Sequence, residues 1–261
     1  MPRKPIGVST RGTTNPNRLR RVDRFIANQA VMREVLNPVV VDLGFGANPT
    51  TTIELLARLE KVNPATRVVG IEINRERVAT ALPFETENLR FIYGGFEIPL
   101  PEWEVEKVSV IRVMNVLRQY EESEVLPAWQ LMQSRLSDSG IIVEGTCDEI
   151  GRLASWITLD SNGPKTLTLS YRLSSVTEPS KIAERLPKAL IHHNISGTPI
   201  NRLLSDLDRA WAAHSALAVF SPVQRFRKTC EDLIQNGWPI AFEPKRWRLG
   251  ELSVDWNAVK S

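Results

Sequence analysis

The chain has few of the residues that build reactive centres. Its 261 residues include only two cysteines, Cys147 and Cys230. That is too few for a disulfide framework and suits a reducing compartment. There are three histidines and no Cys-x-x-Cys pair. Two of the histidines, His192 and His193, are adjacent, so their side chains diverge on either a helix or a strand. No metal site is expected from this inventory. No apolar run reaches the ~18 residues of a membrane span. The start, Met-Pro-Arg-Lys-Pro, lacks the apolar stretch of a secretory signal. No internal repeat or low-complexity tract is present. These absences predict a cytoplasmic protein that does not enter a membrane.

What remains is ordinary globular material, 42% hydrophobic and 24% charged. At roughly 100–200 residues per domain, the length allows one large domain or two small ones. The net charge of +3 is unevenly placed. Residues 1–34 carry eight basic side chains (Arg3, Lys4, Arg11, Arg18, Arg20, Arg21, Arg24 and Arg33) against two acidic ones, Asp23 and Glu34. That excess of six leaves the remainder at minus three. The basic end has three readings. It is a helix covering the domain, which is favoured; a lid in which Arg11, Thr13, Thr14 or Arg18 closes over a ligand; or an RNA contact that weakens with salt. Only Phe25 offers a stacking ring there, so no single-strand platform is visible.

The most informative stretch is residues 39–51. Val39, Val40, Val41 and Asp42 make a short buried strand, and a Gly-x-Gly turn follows at Gly44 and Gly46. Asn48 and Pro49 suit an N-cap and a first helical residue. Ile53, Leu55, Leu56 and Leu59 continue at helical spacing. Glycines let a ligand approach bare backbone, and a helix start offers unpaired N–H groups. The turn departs from two phosphate-binding patterns. No Gly-Lys-Ser/Thr tripeptide follows, which removes Walker A. The sixth position from Gly44 is Pro49 rather than Gly or Ala, which counts against a hydride-transfer dinucleotide site.

Further strands are expected near 67–72, 89–93, 108–113 and 140–144, with helices near 50–60, 75–81 and 122–136. This alternation predicts an α/β fold with a doubly wound, mostly parallel sheet. Asn15-Pro16 and the apolar residues Leu19, Val22 and Ile26 predict an amphipathic helix over 16–35, after an extended arm at 1–14. Thr146-x-x-Glu149 reads as a capping box opening a helix with Ile150, Leu153, Ala154 and Ile157 on one face. Residues 166–173 alternate and predict a strand, as do 252–256. Two helices are expected near 198–216 and 222–236. The organisation expected is a basic arm and helix at 1–37 and a larger domain at 38–261, with a helical cap or insertion around 174–248.

In these residues the chain resembles the class I S-adenosylmethionine-dependent methyltransferases. Their first motif, an acid followed by Gly-x-Gly-x-Gly, is matched by Asp42-Leu43-Gly44-Phe45-Gly46-Ala47-Asn48, with Asn48 in place of the third glycine as a residue that tolerates left-handed backbone angles. Their second-motif acid is matched by Glu72, at the end of a strand, where a carboxylate can hold both ribose hydroxyls. Gly95 stands where the third motif usually has Asp, with Phe96 or Glu97 as substitutes for the adenine contact. The fourth motif reads Asn115-Val116-Leu117-Arg118, without a Pro-Pro pair. The resemblance covers roughly 38–146. It implies a Rossmann-like methyltransferase fold and S-adenosylmethionine as cofactor, with Asp42, Gly44, Phe45, Gly46, Asn48, Glu72, Ile73, Gly95, Phe96 and Asn115 around it.

Methyl transfer from a sulfonium needs positioning more than acid–base chemistry, so the acceptor site is less marked than the cofactor site. Candidates near it are Asp148, in the turn after the fifth strand; His192, in the late insertion; and Tyr120, beside Arg112, Arg118 and Gln119 after the fourth. The acceptor expected is a small metabolite, slightly favoured over structured RNA held by the basic end. A protein that binds the cofactor without catalysis is the reading from a different class.

Overall fold

The computed structural model describes residues 4–103 and 106–260. Arg3, counted above in the basic segment, and the first three residues of the predicted arm lie outside the described residues.

Five strands form where the apolar runs predict them: β1 (Val39–Leu43), β2 (Arg67–Glu72), β3 (Leu89–Tyr93), β4 (Val108–Met114) and β5 (Leu136–Cys147). Three more follow, β6 (Leu153–Asp160), β7 (Gly163–Tyr171) and β8 (Glu251–Asp255). The strands are hydrogen-bonded in the order β3-β2-β1-β4-β5-β6-β7-β8. β1 pairs in parallel with β2 and with β4, and β2 pairs in parallel with β3. Chain order therefore reverses between β1 and β4, the switch point at which open α/β sheets bind ligands. This is the α/β, doubly wound sheet that the sequence predicts. At the far edge β7 and β8 are antiparallel.

Helices fill the connections. α1 (Arg20–Ala27) and α2 (Val31–Glu34) precede the sheet. α3 (Thr50–Leu59) links β1 to β2, α4 (Arg75–Ala81) links β2 to β3, and α5 (Val125–Gln133) links β4 to β5. α6 (Lys188–Ile191), α7 (Pro199–Ala213), α8 (Pro222–Gln235) and α9 (Pro244–Trp247) lie between β7 and β8. The chain divides into two compact units. The first runs from the N-terminal arm through Glu144, with 149–151 and 159–163; the second holds 145–148, 152–158 and the chain from Pro164 onward. Among the described residues no helix is long and apolar enough to cross a membrane.

Three local expectations are corrected. The predicted helix over 150–157 is strand β6 instead. Asp148 closes the turn before it by accepting from the N–H groups of Arg152 (2.8 Å) and Leu153 (3.3 Å), and Gly151 takes φ +66°. Ala154, Ser155, Trp156 and Ile157 are all buried, so both faces of this segment are apolar or covered. Periodicity then cannot separate strand from helix. Thr146 caps nothing; it lies inside β5 and its hydroxyl donates to the Arg185 carbonyl. The single helix over 16–35 is two helices. Asn17 has φ +59°, which delays the start to Arg20. The amides of Asn28 and Gln29 donate to the carbonyls of Arg24 and Phe25 and compete with the helical ladder, so α1 ends there. Asn48 is not left-handed: the non-glycine residues with positive φ are Asn17, Ile98 and Asn115. Its side chain accepts from Thr50 N–H (3.1 Å) at the start of α3.

β5 also buries a carboxylate. Glu144 is 0% exposed, and neither of its oxygens has a hydrogen-bond partner among the described residues. Burial pushes its carboxyl up from 4.5 to about 8. The folded state thus keeps a proton that the unfolded chain releases near its ordinary value. The associated stability is fully present below pH 4.5 and is lost as pH rises through 8. Urea titrations from pH 5 to pH 9 should show a loss on the order of a few kcal/mol. Glu144→Gln should flatten that slope, and an unchanged slope in the variant would place its origin elsewhere.

Candidate functional site

All five residues of β1 are buried, including Asp42. A buried carboxylate must be neutral or matched, and the strand register supplies the match, because Asp42 lies opposite Arg112 of β4. Arg112 grips Asp42 with two bonds, Nε to Oδ1 at 2.9 Å and Nη2 to Oδ2 at 2.6 Å. Nη2 also donates to the Thr51 carbonyl (3.0 Å), and Nη1 pairs with Asp23 of α1. Thr52 donates its hydroxyl to Asp42 (2.7 Å), and Arg58 of α3 pairs with Asp23 at 2.9 Å. One buried cation therefore ties β1, β4, α1 and the first turn of α3 together. Burial opposes the charge on Arg112, but Asp42 and Asp23 outweigh it and raise the pKa. Asp23 is pushed up to about 6, chiefly by burial, while Arg112 and Arg58 pull it down. Arg112 is thus an interior tie rather than part of a solvent-facing cluster, and Asp42 supports the glycine turn from below.

The turn itself needs glycine. Gly44 has φ +73° and Gly46 has φ +91°, angles that L side chains rarely adopt. Gly44 N–H bonds the Ile71 carbonyl (2.7 Å), and Gly46 N–H bonds Glu72 Oε2 (3.1 Å). Glu72 is 2% exposed. Its Oε1 accepts from the N–H groups of Ile73 (2.9 Å) and Asn74 (3.1 Å), and Arg77 Nη1 stands 3.5 Å from Oε2. The acid at the tip of β2 therefore braces the glycine turn of β1.

Beside it lies a cleft of about 290 Å³ counted with its open mouth. Leu43, Gly44, Glu72 and Ile73 line it from the tips of β1 and β2. Gly94, Gly95 and Phe96 line it after β3, and Val116 and Tyr120 after β4. The remaining wall is the N-terminal arm, through Ile6, Val8 and Thr10. Residues 4–14 form no helix or strand, and the cleft is lined by Ile6, Val8 and Thr10 rather than by the Arg11, Thr13, Thr14 or Arg18 of the lid reading. Ile6 accepts from Phe96 N–H (2.9 Å) and donates to Glu97 Oε2 (2.8 Å). Val8 N–H donates to the Tyr120 hydroxyl (2.6 Å), and Gly12 accepts from Ala47 N–H (2.8 Å).

Of the residues named from sequence, Gly44, Glu72, Ile73, Gly95, Phe96 and Tyr120 converge on this cleft. Gly46 adjoins it through Glu72. Phe45 packs edge-on to Phe91 at 5.2 Å between ring centres. Asn48 accepts from Thr50 N–H but is not the N-cap expected of it, since α3 starts at Thr50 with Pro49 as its N-cap, and Asn115 takes φ +62° at the end of β4. Tyr120 packs edge-on to Phe96, 5.3 Å between centres, and burial raises its phenol pKa. Asp148 and His192 belong to the second unit, where Asp148 caps its turn and His192 is exposed at the end of α6. Sequence reasoning missed Arg77, Glu97 as a partner of the arm, and the Asp23–Arg112–Asp42 tie. An arginine inside an apolar strand, next to a strand carrying an acid, was the available signal for the tie.

No protein-family model matches the sequence, and no curated protein matches it. Several solved structures are similar over part of their length. One, from Galdieria sulphuraria and described as a sarcosine dimethylglycine methyltransferase, is 18% identical over 48% of this chain and 46% of that one, with a TM-score of 0.38. A plantazolicin methyltransferase in complex with a substrate analogue and SAH is 16% identical over 50% of this chain and 46% of its own, with a TM-score of 0.38. A pericyclic reaction enzyme is 17% identical over 47% and 30%, with a TM-score of 0.37. The chain spans less than half the length of each. At this level of likeness the functional reading rests on the cleft itself.

Replacing Arg112 with Met should leave Asp23 and Asp42 buried without their cation, at a cost of about 3–5 kcal/mol in urea unfolding. Arg58→Ala should cost less, since that side chain is 21% exposed. Equal losses would contradict the central place given to Arg112.

Proposed function

We propose that the chain binds S-adenosylmethionine at the tips of β1, β2 and β3 and directs methyl transfer to an acceptor, with a small metabolite favoured. One observation carries the reading. Two glycines with positive φ and a buried acid, Glu72, stand together at the switch point of the sheet, beside a cleft flanked by bare backbone. Close approach to the turn supports the reading: a Cβ on Gly46 would lie 2.7 Å from the backbone oxygen of Gly12, so bare backbone here accepts polar atoms at short range. Glu72 is the proposed ribose ligand, Gly44 and Gly46 the approach for the methionine part, and Phe96 with Glu97 the adenine contact. Asp42, Phe45, Asn48, Ile73, Gly95 and Asn115 are the supporting positions.

The bound donor supplies an electrophilic methyl group and leaves as a thioether. The chain orients donor and acceptor and limits water. Tyr120, whose phenol pKa is raised by burial, is the proposed positioning group in the wall of the cleft.

A non-catalytic reading has its own support, since the Glu72 oxygens are already engaged and the arm lies in the cleft. Methyl transfer from labelled donor to cell-extract components distinguishes the two. For the donor site, Glu72→Ala should weaken binding of S-adenosylmethionine by more than tenfold in calorimetry. Wild-type affinity in that variant would overturn the assignment. An RNA acceptor would instead require the basic residues Arg18, Arg20 and Arg21, and would show salt-sensitive RNA binding.

A further inference from the structure

The backbone of the arm meets the cleft as a ligand would. At Ile6, one peptide unit on either side offers an acceptor to Phe96 N–H (2.9 Å) and a donor to Glu97 Oε2 (2.8 Å). Adenine presents the same pair on its Watson–Crick edge, an amino donor beside a ring-nitrogen acceptor. Further along, Gly12 offers its carbonyl to Ala47 N–H (2.8 Å) in the turn between β1 and α3. Gly46 and Gly95 have no Cβ to block these approaches: at Gly46 it would stand 2.7 Å from the Gly12 oxygen, and at Gly95 it would collide with the Ile6 oxygen. The two glycines that keep the strand tips open therefore currently admit this chain's own backbone.

The arm is latched rather than packed. Arg77, which faces Glu72 at 3.5 Å, donates through Nη2 to the carbonyls of Thr10 (2.9 Å) and Arg11 (3.3 Å). Tyr120 exchanges hydrogen bonds with Val8, and Gln119 accepts from Arg11 N–H (2.9 Å). The apolar side chains contribute little, as Ile6 is 45% exposed and Val8 56% exposed. A segment held by hydrogen bonds near solvent, with little apolar burial, opens at low cost. Arg77 also couples the latch to Glu72, because the same guanidinium holds the arm and faces the proposed ribose acid.

We infer that residues 6–12 are an autoinhibitory strap that occupies the nucleoside seat of the cleft and competes with the donor for the N–H groups of Phe96 and Ala47. The inference rests on the donor site proposed above. It concerns the closed state, in which the arm stands in for the ligand, and it makes donor affinity a property of the arm as well as of the cleft.

Two glycines of the arm allow a test in the full chain. Gly7 has φ +132°, and a Cβ there would lie 2.8 Å from the Tyr120 hydroxyl. Gly12 has φ +72°, and a Cβ there would collide with the Arg77 guanidinium. The double variant Gly7→Val/Gly12→Val should unseat the arm while leaving every strand-tip residue unsubstituted. Hydrogen exchange without ligand should show faster exchange at Ala47 and Phe96, and calorimetry with S-adenosylhomocysteine should show at least tenfold tighter binding than wild type. A synthetic peptide of residues 4–14, added in excess, should reverse that gain. Equal or weaker affinity in the variant, with both amides exposed, overturns the strap and leaves the donor site standing. Absence of binding in wild type and variant alike overturns the donor site and the strap with it.

Discussion

The site depends on the carboxylate of Glu72. It ends β2, is almost wholly buried, and gathers three backbone N–H groups, those of Gly46, Ile73 and Asn74. Two of these fix the exit from its own strand. The third reaches across to the glycine turn of β1, so one side chain sets the spacing between the first two strand tips. Arg77 adds a counter-charge and carries the connection on to the arm. One buried acid thus meets the glycine turn, lines the cleft and, through Arg77, reaches the strap.

Beneath this, Arg112 does for the core what Glu72 does for the rim. A charge wholly enclosed in a sheet is tolerated because two carboxylates and a backbone carbonyl surround it. Its partners come from α1, β1 and the first turn of α3, which meet below the cleft. The basic N-terminal segment is thereby divided in function. α1 contributes the buried acid Asp23, while the preceding arm contributes backbone to the site.

The parallel part of the fold was legible because its strands are short apolar runs bounded by Gly, Asn and Pro, and β1, β2 and β4 are each followed by a helical repeat. β1 to β5 and α3 to α5 sit where those patterns put them. β6 was not legible, since burial on both faces of Leu153–Asp160 erases the alternation that marks a strand. The break after Ala27 depends on the amides of Asn28 and Gln29 turning back on the helix, a choice that helical spacing does not register. For the cleft, Gly44 and Glu72 were named because glycine and acid carry chemistry in their identity, and Gly95 and Phe96 because the resemblance to the methyltransferase motifs implies them. The seat of Ile6, Val8 and Gly12 is made by peptide groups, which every residue has, so composition and motif are silent about it. Asp23 and Arg112 are far apart in sequence and meet only once α1 has packed under the sheet.

The most direct test of the account is a crystal structure of the chain grown with millimolar S-adenosylhomocysteine. Ligand is expected along the tips of β1 to β3, with its ribose on Glu72, its adenine edge on Phe96 N–H and Glu97, and residues 6–12 displaced from the cleft. Ligand absent from that cleft, with Ile6 still bonded to Phe96 and Glu97, would contradict it.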